Sequence, residues 1–264
     1  MSRIAQTFAH KKTNFVAFIT AGDPDLETAT DILLHLPEQG VDIIELGMPF
    51  SDPVADGIAI QESYQRALQK NHTMEKTLEM VKKFRATNQT TPLVLMGYFN
   101  PILHYGIEKF LKDANRHGVD GLIVVDLPPE EDHELRHPAE KNNISLIRLL
   151  TPTSDKQRIK KIINHASGFL YYVSVLGITG GRQIDIDAVK KKMTDIKKQT
   201  SLPVVVGFGI TNQKEASQLN HHVDGIVVGS AIVREIATAI NNQQDKKTIA
   251  QLVLNRVKQI ASGL

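Results

Sequence analysis

The residues of this chain best suited to chemistry are two carboxylates, Glu45 and Asp56, within the segment ELGMPFSDPVADG at residues 45–57. Residues 42–47 have the apolar pattern of a short buried strand, and desolvating an ionisable Glu near its end is costly unless the carboxylate has a task or a partner. The prolines and the last glycine of the segment then restrict or permit particular backbone angles, which fixes where Asp56 points. One carboxylate on a strand end and another on a stiff loop is the arrangement that acid–base chemistry needs.

Composition narrows the class of protein. A length of 264 residues suits one barrel-type domain or two small ones, and a formal charge of +2 is too small to indicate nucleic acid or an anionic membrane as the main partner. The absence of cysteine excludes disulfides, a thiol nucleophile and thiolate metal ligands. Residues 1–8 lack the apolar run of a secretory signal, and no segment approaches the roughly 20 apolar residues of a membrane span, so we expect a cytoplasmic protein.

Short apolar runs recur along the chain, and each precedes an amphipathic stretch. The runs at 204–209 and 225–230 are apolar on both faces, as parallel strands covered on both sides should be. Eight runs without linker-like tracts indicate a (β/α)8 TIM barrel, a single domain over residues 1–264, in preference to a doubly wound open sheet. Ile4 and Phe8 lie one turn apart and predict an extra N-terminal helix over the barrel floor. The runs are 15–20, 42–47, 93–98, 121–126, 145–150, 169–174, 204–209 and 225–230.

Glycine-bearing turns follow the last three predicted strands, at residues 177–181, 207–209 and 229–230. In a barrel of this kind the functional site lies at the carboxyl ends of the strands. Glycines there let main-chain amides approach a ligand, and a helix beginning at Ser230 would direct its positive end at an anion. We therefore expect a phosphate monoester bound mainly by main-chain donors; glycines that only permit tight turns are the alternative explanation.

Other chemistries fit the sequence less well. No lysine occupies a predicted strand or its carboxyl end, which argues against a Schiff-base aldolase. Residues 133–137, HELRH, match the helical pattern of zinc proteases. That segment is predicted to form an outer helix, and the proline that follows it at once disturbs such a helix, so we expect no metal site. Tyr171 and Phe208, near strand ends, favour a substrate with a flat apolar portion beside the phosphate.

Five segments carry a resemblance to a known family: FITAGDP at 18–24, ELGMPFSDPVADG at 45–57, MGYFNP at 96–101, GITG at 177–180 and GFGI at 207–210. Together they resemble the tryptophan synthase alpha chain family. The resemblance covers essentially the whole chain, and the long acidic motif is far more discriminating than any glycine pattern. In this family the barrel cleaves indole-3-glycerol phosphate by a retro-aldol reaction to indole and glyceraldehyde 3-phosphate, within L-tryptophan biosynthesis, and the resemblance implies the same carbon–carbon lyase activity here.

The resemblance also implies roles for individual residues. Glu45 would protonate C3 of the indole and deprotonate the glycerol hydroxyl in turn. Asp56 would accept a hydrogen bond from the ring N–H and stabilise the positive charge that develops there. Tyr171 matches the family's pocket tyrosine, and Thr179 matches the loop threonine that pairs with the loop aspartate when the site closes. The matches to the phosphate site are Gly180, Phe208, Gly209, Gly229 and Ser230, and the side chains that would line the indole are Phe18, Ile60, Met96, Ile123, Leu149 and Phe208.

A partner follows from the resemblance as well. The family's alpha chain binds a beta chain in an alpha2–beta2 heterotetramer, and pyridoxal phosphate belongs to the beta chain, so no cofactor and no metal are expected on this chain. Residues 52–57 and 99–104 would face that partner. Two departures from the family pattern, Ile58 in place of proline and Gly181 in place of alanine, give both site loops additional freedom.

Three other functions stay open on the sequence alone. The chain could be a free-standing lyase that releases indole, another phosphate-binding barrel isomerase or synthase, or a non-catalytic chain that only activates a partner. The acidic motif argues against the isomerase, which would not require this loop. The presence of both Glu45 and Asp56 argues against the non-catalytic chain.

Overall fold

Parallel strands form a single curled sheet in the computed structural model. The structure describes residues 1–10, 13–174, 185–207, 210 and 212–264. The strands of this part of the chain are β1 (Asn14–Thr20), β2 (Ile43–Gly47), β3 (Leu93–Gly97), β4 (Gly121–Val124), β5 (Ser145–Leu146), β6 (Arg148–Leu150), β7 (Leu170–Val173), β8 (Val204–Gly207) and β9 (Gly225–Val228). Their order in the sheet is β5-β4-β3-β2-β1-β9-β8-β7-β6, and the TIM barrel expected from the sequence is confirmed.

One predicted strand is divided in two. The sequence predicts a single fifth strand over residues 145–150, whereas the structure has β5 and β6 with Ile147 between them. The division is a change of partner, because β5 pairs with β4 and β6 pairs with β7. The Ile147 N–H still donates to the Leu122 carbonyl of β4, at 3.0 Å. The two halves therefore take the place of one barrel strand, which joins the two ends of the sheet.

Helices cover the outside of the barrel. Six of those described begin after an Asp, Asn or Thr whose side chain accepts hydrogen bonds from first-turn amides, which is the favoured way to start a helix. Two that face the candidate site, α3 and α11, instead follow a glycine. The helices are α1 (Arg3–His10), α2 (Leu26–His35), α3 (Ile58–Gln69), α4 (Met74–Thr87), α5 (Phe99–Tyr105), α6 (Ile107–His117), α7 (His133–Lys141), α8 (Lys156–Asn164), α9 (Ile186–Lys197), α10 (Gln213–Leu219), α11 (Ser230–Asn241) and α12 (Lys246–Ala261), with 3-10 turns at Pro37–Gln39 and Pro129–Glu131.

Alternation along the strands divides the buried side chains into two layers. In β2, for example, Ile44 and Leu46 pack outward against the helices, whereas Ile43 faces the interior of the barrel. Because successive strand side chains point to opposite faces, Glu45 also points inward. We call the inner group the barrel-interior cluster. It comprises Ile4, Val16, Phe18, Ile43, Ile60, Tyr64, Val94, Met96, Tyr98, Ile123, Ile147, Phe169, Tyr171, Val205, Val227 and Val233.

The predicted N-terminal helix is present and covers the amino-terminal end of the barrel. Ile4 of α1 is fully buried in the barrel-interior cluster, and the ring of Phe8 packs on that of Phe169 with centroids 5.6 Å apart. The inward-facing groups at the opposite, carboxyl ends of the strands are therefore covered from below by α1, and we call the region that they line around Glu45 the chamber. Among the residues that the structure describes, none of the helices combines the length and the apolar character that crossing a bilayer requires.

Candidate active site

Glu45 is a buried carboxyl group on the inner face of β2. It lies in register with Phe18 of β1 and Val94 of β3, and only 2% of its surface is exposed. Its Oε1 atom has no hydrogen-bond partner among the described residues. Burial, and secondarily the charge of Asp56, raise the pKa of Glu45 from 4.5 to about 8. The side chain is therefore protonated at neutral pH and suited to donate a proton.

Asp56 lies at the end of the loop that follows β2, and it is held in place by Tyr98. The Tyr98 hydroxyl donates to Asp56 Oδ2 at 2.6 Å and accepts from the Ala55 N–H at 3.0 Å, so one phenol fixes both the carboxylate and the loop. Burial raises the pKa of Asp56 to about 6, although the hydrogen bond from Tyr98 opposes this rise. Asp56 is therefore mostly ionised at pH 7, with its charge directed into the same interior.

The two carboxyl groups meet in one chamber. The charge of Asp56 contributes to the raised pKa of Glu45, and the charges of both carboxyls contribute, after burial, to the raised pKa of Tyr171. The geometry agrees with these interactions, because Tyr98, which holds Asp56, belongs to the same barrel-interior cluster as the strand neighbours of Glu45. We call Glu45 and Asp56 the acid pair. The sequence predicted its convergence, and its members share one apolar enclosure with different protonation states at neutral pH.

The predicted indole-lining side chains also gather around the acid pair. Phe18, Ile60, Met96 and Ile123 all belong to the barrel-interior cluster, and the partly buried Leu149 packs against it. The predicted pocket residue Tyr171 belongs to the same cluster. Gly47 provides room for the Phe18 ring, because a Cβ at this glycine would lie 2.6 Å from Phe18 Cζ. Phe208 lies outside the described residues. The chamber therefore has an aromatic and aliphatic wall that suits a flat apolar ligand.

The predicted phosphate positions are described only in part. Gly229 ends the turn after β9, and Ser230 begins the twelve residues of α11, so the amides of that first turn point out of the barrel's carboxyl end. Gly229 also lies close to β1, since a Cβ there would be 3.1 Å from Phe18 Cβ. Thr179, Gly180 and Gly209, and the departure at Gly181, lie outside the described residues.

Helix α3, which follows Asp56, is tied to the first strand and its loop. Arg66 of α3 makes two hydrogen bonds to the buried Asp23, at 2.7 and 2.8 Å. Ser63 contacts Thr20 of β1, with 2.6 Å between the hydroxyl oxygens. These contacts hold the middle of α3, the helix that follows Asp56, against the barrel. The roles of these residues and of Tyr98 were not predicted, although the position of Tyr98 directly after the third strand and inside the MGYFNP motif is a usable signal.

The HELRH segment is an outer helix, as predicted. In α7 the side chains of Leu135 and Ala139 are buried against the barrel, and 60% of the His137 side chain is exposed. The helix continues through Pro138 to Lys141, so this proline disturbs it less than expected. No group of three or more His, Asp or Glu side chains placed to bind a metal ion occurs within the described ranges.

Comparison with known proteins identifies the family. The tryptophan synthase alpha chain family matches residues 4–262. The chain is similar to the alpha subunit of tryptophan synthase from Legionella pneumophila strain Paris, with 37% identity over 100% of both chains and a TM-score of 0.89. A chain of the tryptophan synthase complex from Pyrococcus furiosus is 34% identical over 96% of this chain and 98% of that chain, with a TM-score of 0.83. Tryptophan synthase from Mycobacterium tuberculosis contains a chain that is 29% identical over 99% of this chain and 98% of that chain, with a TM-score of 0.88.

These matches span nearly the whole chain and include the segments that carry the acid pair. The resemblance noted from the sequence motifs is thereby confirmed. The chain belongs to the tryptophan synthase alpha chain family, a family of enzymes, and has the role of the alpha chain in tryptophan biosynthesis.

Proposed function

We propose that this chain cleaves indole-3-glycerol phosphate by a retro-aldol reaction to indole and glyceraldehyde 3-phosphate. The observation that carries the proposal is the acid pair, in which a protonated Glu45 and an ionised Asp56 face one apolar chamber. A carbon leaving group such as indole needs a proton at C3 before the bond breaks and a counter-charge at its nitrogen. The acid pair supplies one group for each requirement.

The reaction begins with protonation of the ring. Glu45 donates its proton to C3 of the indole, and the ring nitrogen gains positive charge, which Asp56 stabilises by accepting a hydrogen bond from the N–H. The Glu45 carboxylate then takes the proton of the hydroxyl on the carbon attached to C3. The hydroxyl oxygen becomes the aldehyde oxygen as the bond between C3 and the hydroxyl-bearing carbon breaks. The electron pair of the broken bond restores the aromatic indole. Glu45 ends in the protonated form in which it began, so no cofactor on this chain is needed.

Binding roles for the remaining positions follow from the chamber. Phe18, Ile60 and Tyr171 contact the indole, which is flat and apolar like the wall that they form. Ser230 and Gly229 bind the phosphate through first-turn amides of α11, where the helix dipole favours an anion. We assign Gly180, Phe208 and Gly209 to the same phosphate end, and Thr179 to closure of the site over Asp56.

A partner chain completes the proposed function. Three large apolar side chains are exposed on the side of the molecule that carries the Asp56 loop and α5: Val54 is 81% exposed, Ile58 60% and Leu103 52%. The Tyr98 hydrogen bond links the two segments that carry them. We assign this surface to a pyridoxal-phosphate beta chain that receives indole, within an alpha2–beta2 assembly. Because the surface adjoins the loop of Asp56, binding there would raise the rate of cleavage.

The first prediction tests cleavage and partner binding together. The chain should release indole from indole-3-glycerol phosphate, and addition of a beta chain should increase both the rate and the sedimenting mass. Leu103→Asp should weaken beta-chain binding by at least about tenfold, because a charge would be desolvated in an apolar interface. Leu252→Asp is the matched control, since Leu252 is an exposed leucine on α12. Unchanged rate and mass on mixing would contradict the partner and favour a free-standing lyase; no indole release at all would contradict the proposed reaction.

The second prediction concerns pH. The rate constant kcat/KM should rise as Asp56 ionises, near pH 6, and fall as Glu45 loses its proton, near pH 8. Because the Tyr98 hydroxyl lowers the pKa of Asp56, Tyr98→Phe should move the acid limb to higher pH and leave the basic limb in place. A pH profile of indole release for both proteins measures this shift. An acid limb that stays unmoved in Tyr98→Phe would show that Asp56 is not the group that must ionise.

A further inference from the structure

Tyr64 carries a buried hydroxyl that the proposed reaction leaves unused. The residue is 0% exposed, and its Oη atom has no hydrogen-bond partner in the part of the chain that the structure describes. A buried hydroxyl without a partner destabilises the folded state, because it has lost its hydrogen bonds to water. Such a group in a native protein calls for an explanation, and a ligand that supplies the missing partner is one.

The position of Tyr64 places it at the active-site chamber. Tyr64 lies one helical turn after Ile60 on α3, and both belong to the barrel-interior cluster. Its ring borders Gly47, since a Cβ at this glycine would lie 3.3 Å from Tyr64 Cε1. Gly47 is two residues after Glu45 on β2 and therefore faces the same side of the sheet. The Tyr64 ring thus lies at the carboxyl end of β2, against the face of the strand that carries Glu45.

Electrostatics link the same hydroxyl to the acid pair. Burial raises the pKa of Tyr64, and the charges of Asp56, Tyr98 and Glu45 add to this effect. The Tyr64 hydroxyl is therefore neutral and able to donate. Glu45 Oε1 is likewise buried without a partner among the described residues. An unused donor and an unused acceptor consequently face one apolar chamber, and a ligand with an alcohol group would satisfy both atoms.

We infer that Tyr64 is a substrate-binding residue whose hydroxyl donates a hydrogen bond to the glycerol oxygen from which Glu45 takes the proton. The inference rests on the proposed function, in which that oxygen approaches Glu45 as the carbon–carbon bond breaks. A donor on the oxygen would fix its position and stabilise the negative charge that develops there. Tyr64 would thereby distinguish the hydroxylated three-carbon chain of the substrate from a plain alkyl chain of the same length.

The test removes only the hydroxyl, by Tyr64→Phe. In a Glu45→Gln background, which binds without turnover, dissociation constants are measured for indole-3-glycerol phosphate and for indole-3-propyl phosphate, which lacks both glycerol hydroxyls. Tyr64→Phe should weaken binding of the substrate by about tenfold, the value of one hydrogen bond at the upper end of the usual range, and leave the propyl analogue unchanged. Tyr172→Phe is the matched control, because Tyr172 is a buried tyrosine on the outer face of β7.

Thermal stability separates a binding role from a structural one. Removing an unpaired hydroxyl should leave the Tm of Tyr64→Phe equal to that of the parent protein or higher. Equal weakening of both ligands together with a lower Tm would overturn the inference and make Tyr64 a structural residue. Unchanged affinity for both ligands would overturn it too. Failure of the proposed function itself would give a different result, because the wild-type chain would then release no indole from indole-3-glycerol phosphate.

Discussion

Indole release falls by about 10³–10⁴-fold when Glu45 is changed to Gln, because one side chain performs both proton transfers of the proposed reaction. The Glu45→Gln variant keeps the shape of the side chain, but an amide has no proton to give to C3 and cannot receive one from the glycerol hydroxyl. The measurement is kcat for indole release from indole-3-glycerol phosphate at neutral pH. The change should appear in kcat and not in the affinity for ligands that do not react.

A control variant shows whether the loss of activity is specific to Glu45 or follows from removing any carboxyl group near the site. Glu62→Gln makes the same chemical change at an exposed position of α3 and should leave kcat unaltered. The Glu45→Gln variant should still bind indole-3-propyl phosphate as the wild type does. A Glu45→Gln protein that retained more than about a tenth of the wild-type kcat would contradict the proton-transfer role, since a general acid–base group contributes at least about a hundredfold.

The Glu45→Gln variant, which should lose activity, should gain conformational stability at alkaline pH. Burial raises the pKa of Glu45 from 4.5 to about 8, so between these values the folded chain holds a proton that the unfolded chain has lost. The stability of the wild type therefore decreases as pH rises through this range. Above about pH 8 the Glu45→Gln variant should be more stable than the wild type by a few kcal/mol, and the difference should vanish below about pH 4.5. Chemical unfolding of the wild type and of Glu45→Gln at pH 4 and pH 9 measures this difference in the free energy of unfolding.

The second large effect is expected from Asp56→Asn, which should lower kcat/KM by about 10²–10³-fold, a loss typical of removing one preorganised electrostatic contact to the transition state. The variant keeps an oxygen for the Tyr98 hydroxyl, so the loop retains its anchor, but a neutral amide cannot balance positive charge on the ring nitrogen. The measurement is kcat/KM for indole release at the pH optimum of each protein.

Comparison with Tyr98→Phe separates the effect of the Asp56 charge from the effect of the position of its loop. This variant keeps the Asp56 carboxylate and removes only its hydrogen-bond donor, so at the shifted pH optimum it should lose much less activity than Asp56→Asn. If the two variants lost the same activity, orientation of the loop and not the charge of Asp56 would control the reaction. If neither variant lost activity, the ring nitrogen would have another partner.

Much of this site could be predicted from sequence because its chemistry is local. Glu45 is conspicuous as a charged residue in an apolar strand, where desolvation is costly. Asp56 lies in a loop whose prolines and glycine leave little freedom. Parallel strands of a barrel present their carboxyl ends at one face, so the convergence of the acid pair follows once the eight runs are recognised.

What the sequence did not predict depends on contacts between distant segments. Tyr98 meets Asp56 from the end of a neighbouring strand, and Tyr64 reaches the chamber only because α3 is anchored to β1. No periodicity indicates which phenol will approach which carboxyl. The division between β5 and β6 at Ile147 has the same origin, since it reflects a change of pairing partner around the closing barrel.

The central claim is that Glu45 and Asp56 act on one bound ring, and a crystal structure of the Glu45→Gln variant soaked with indole-3-glycerol phosphate tests it most directly. We expect the indole inside the barrel mouth, with its N–H within hydrogen-bond distance of Asp56 and its C3 beside the substituted side chain. An indole bound in another cavity, or with its nitrogen directed away from Asp56, would contradict the claim.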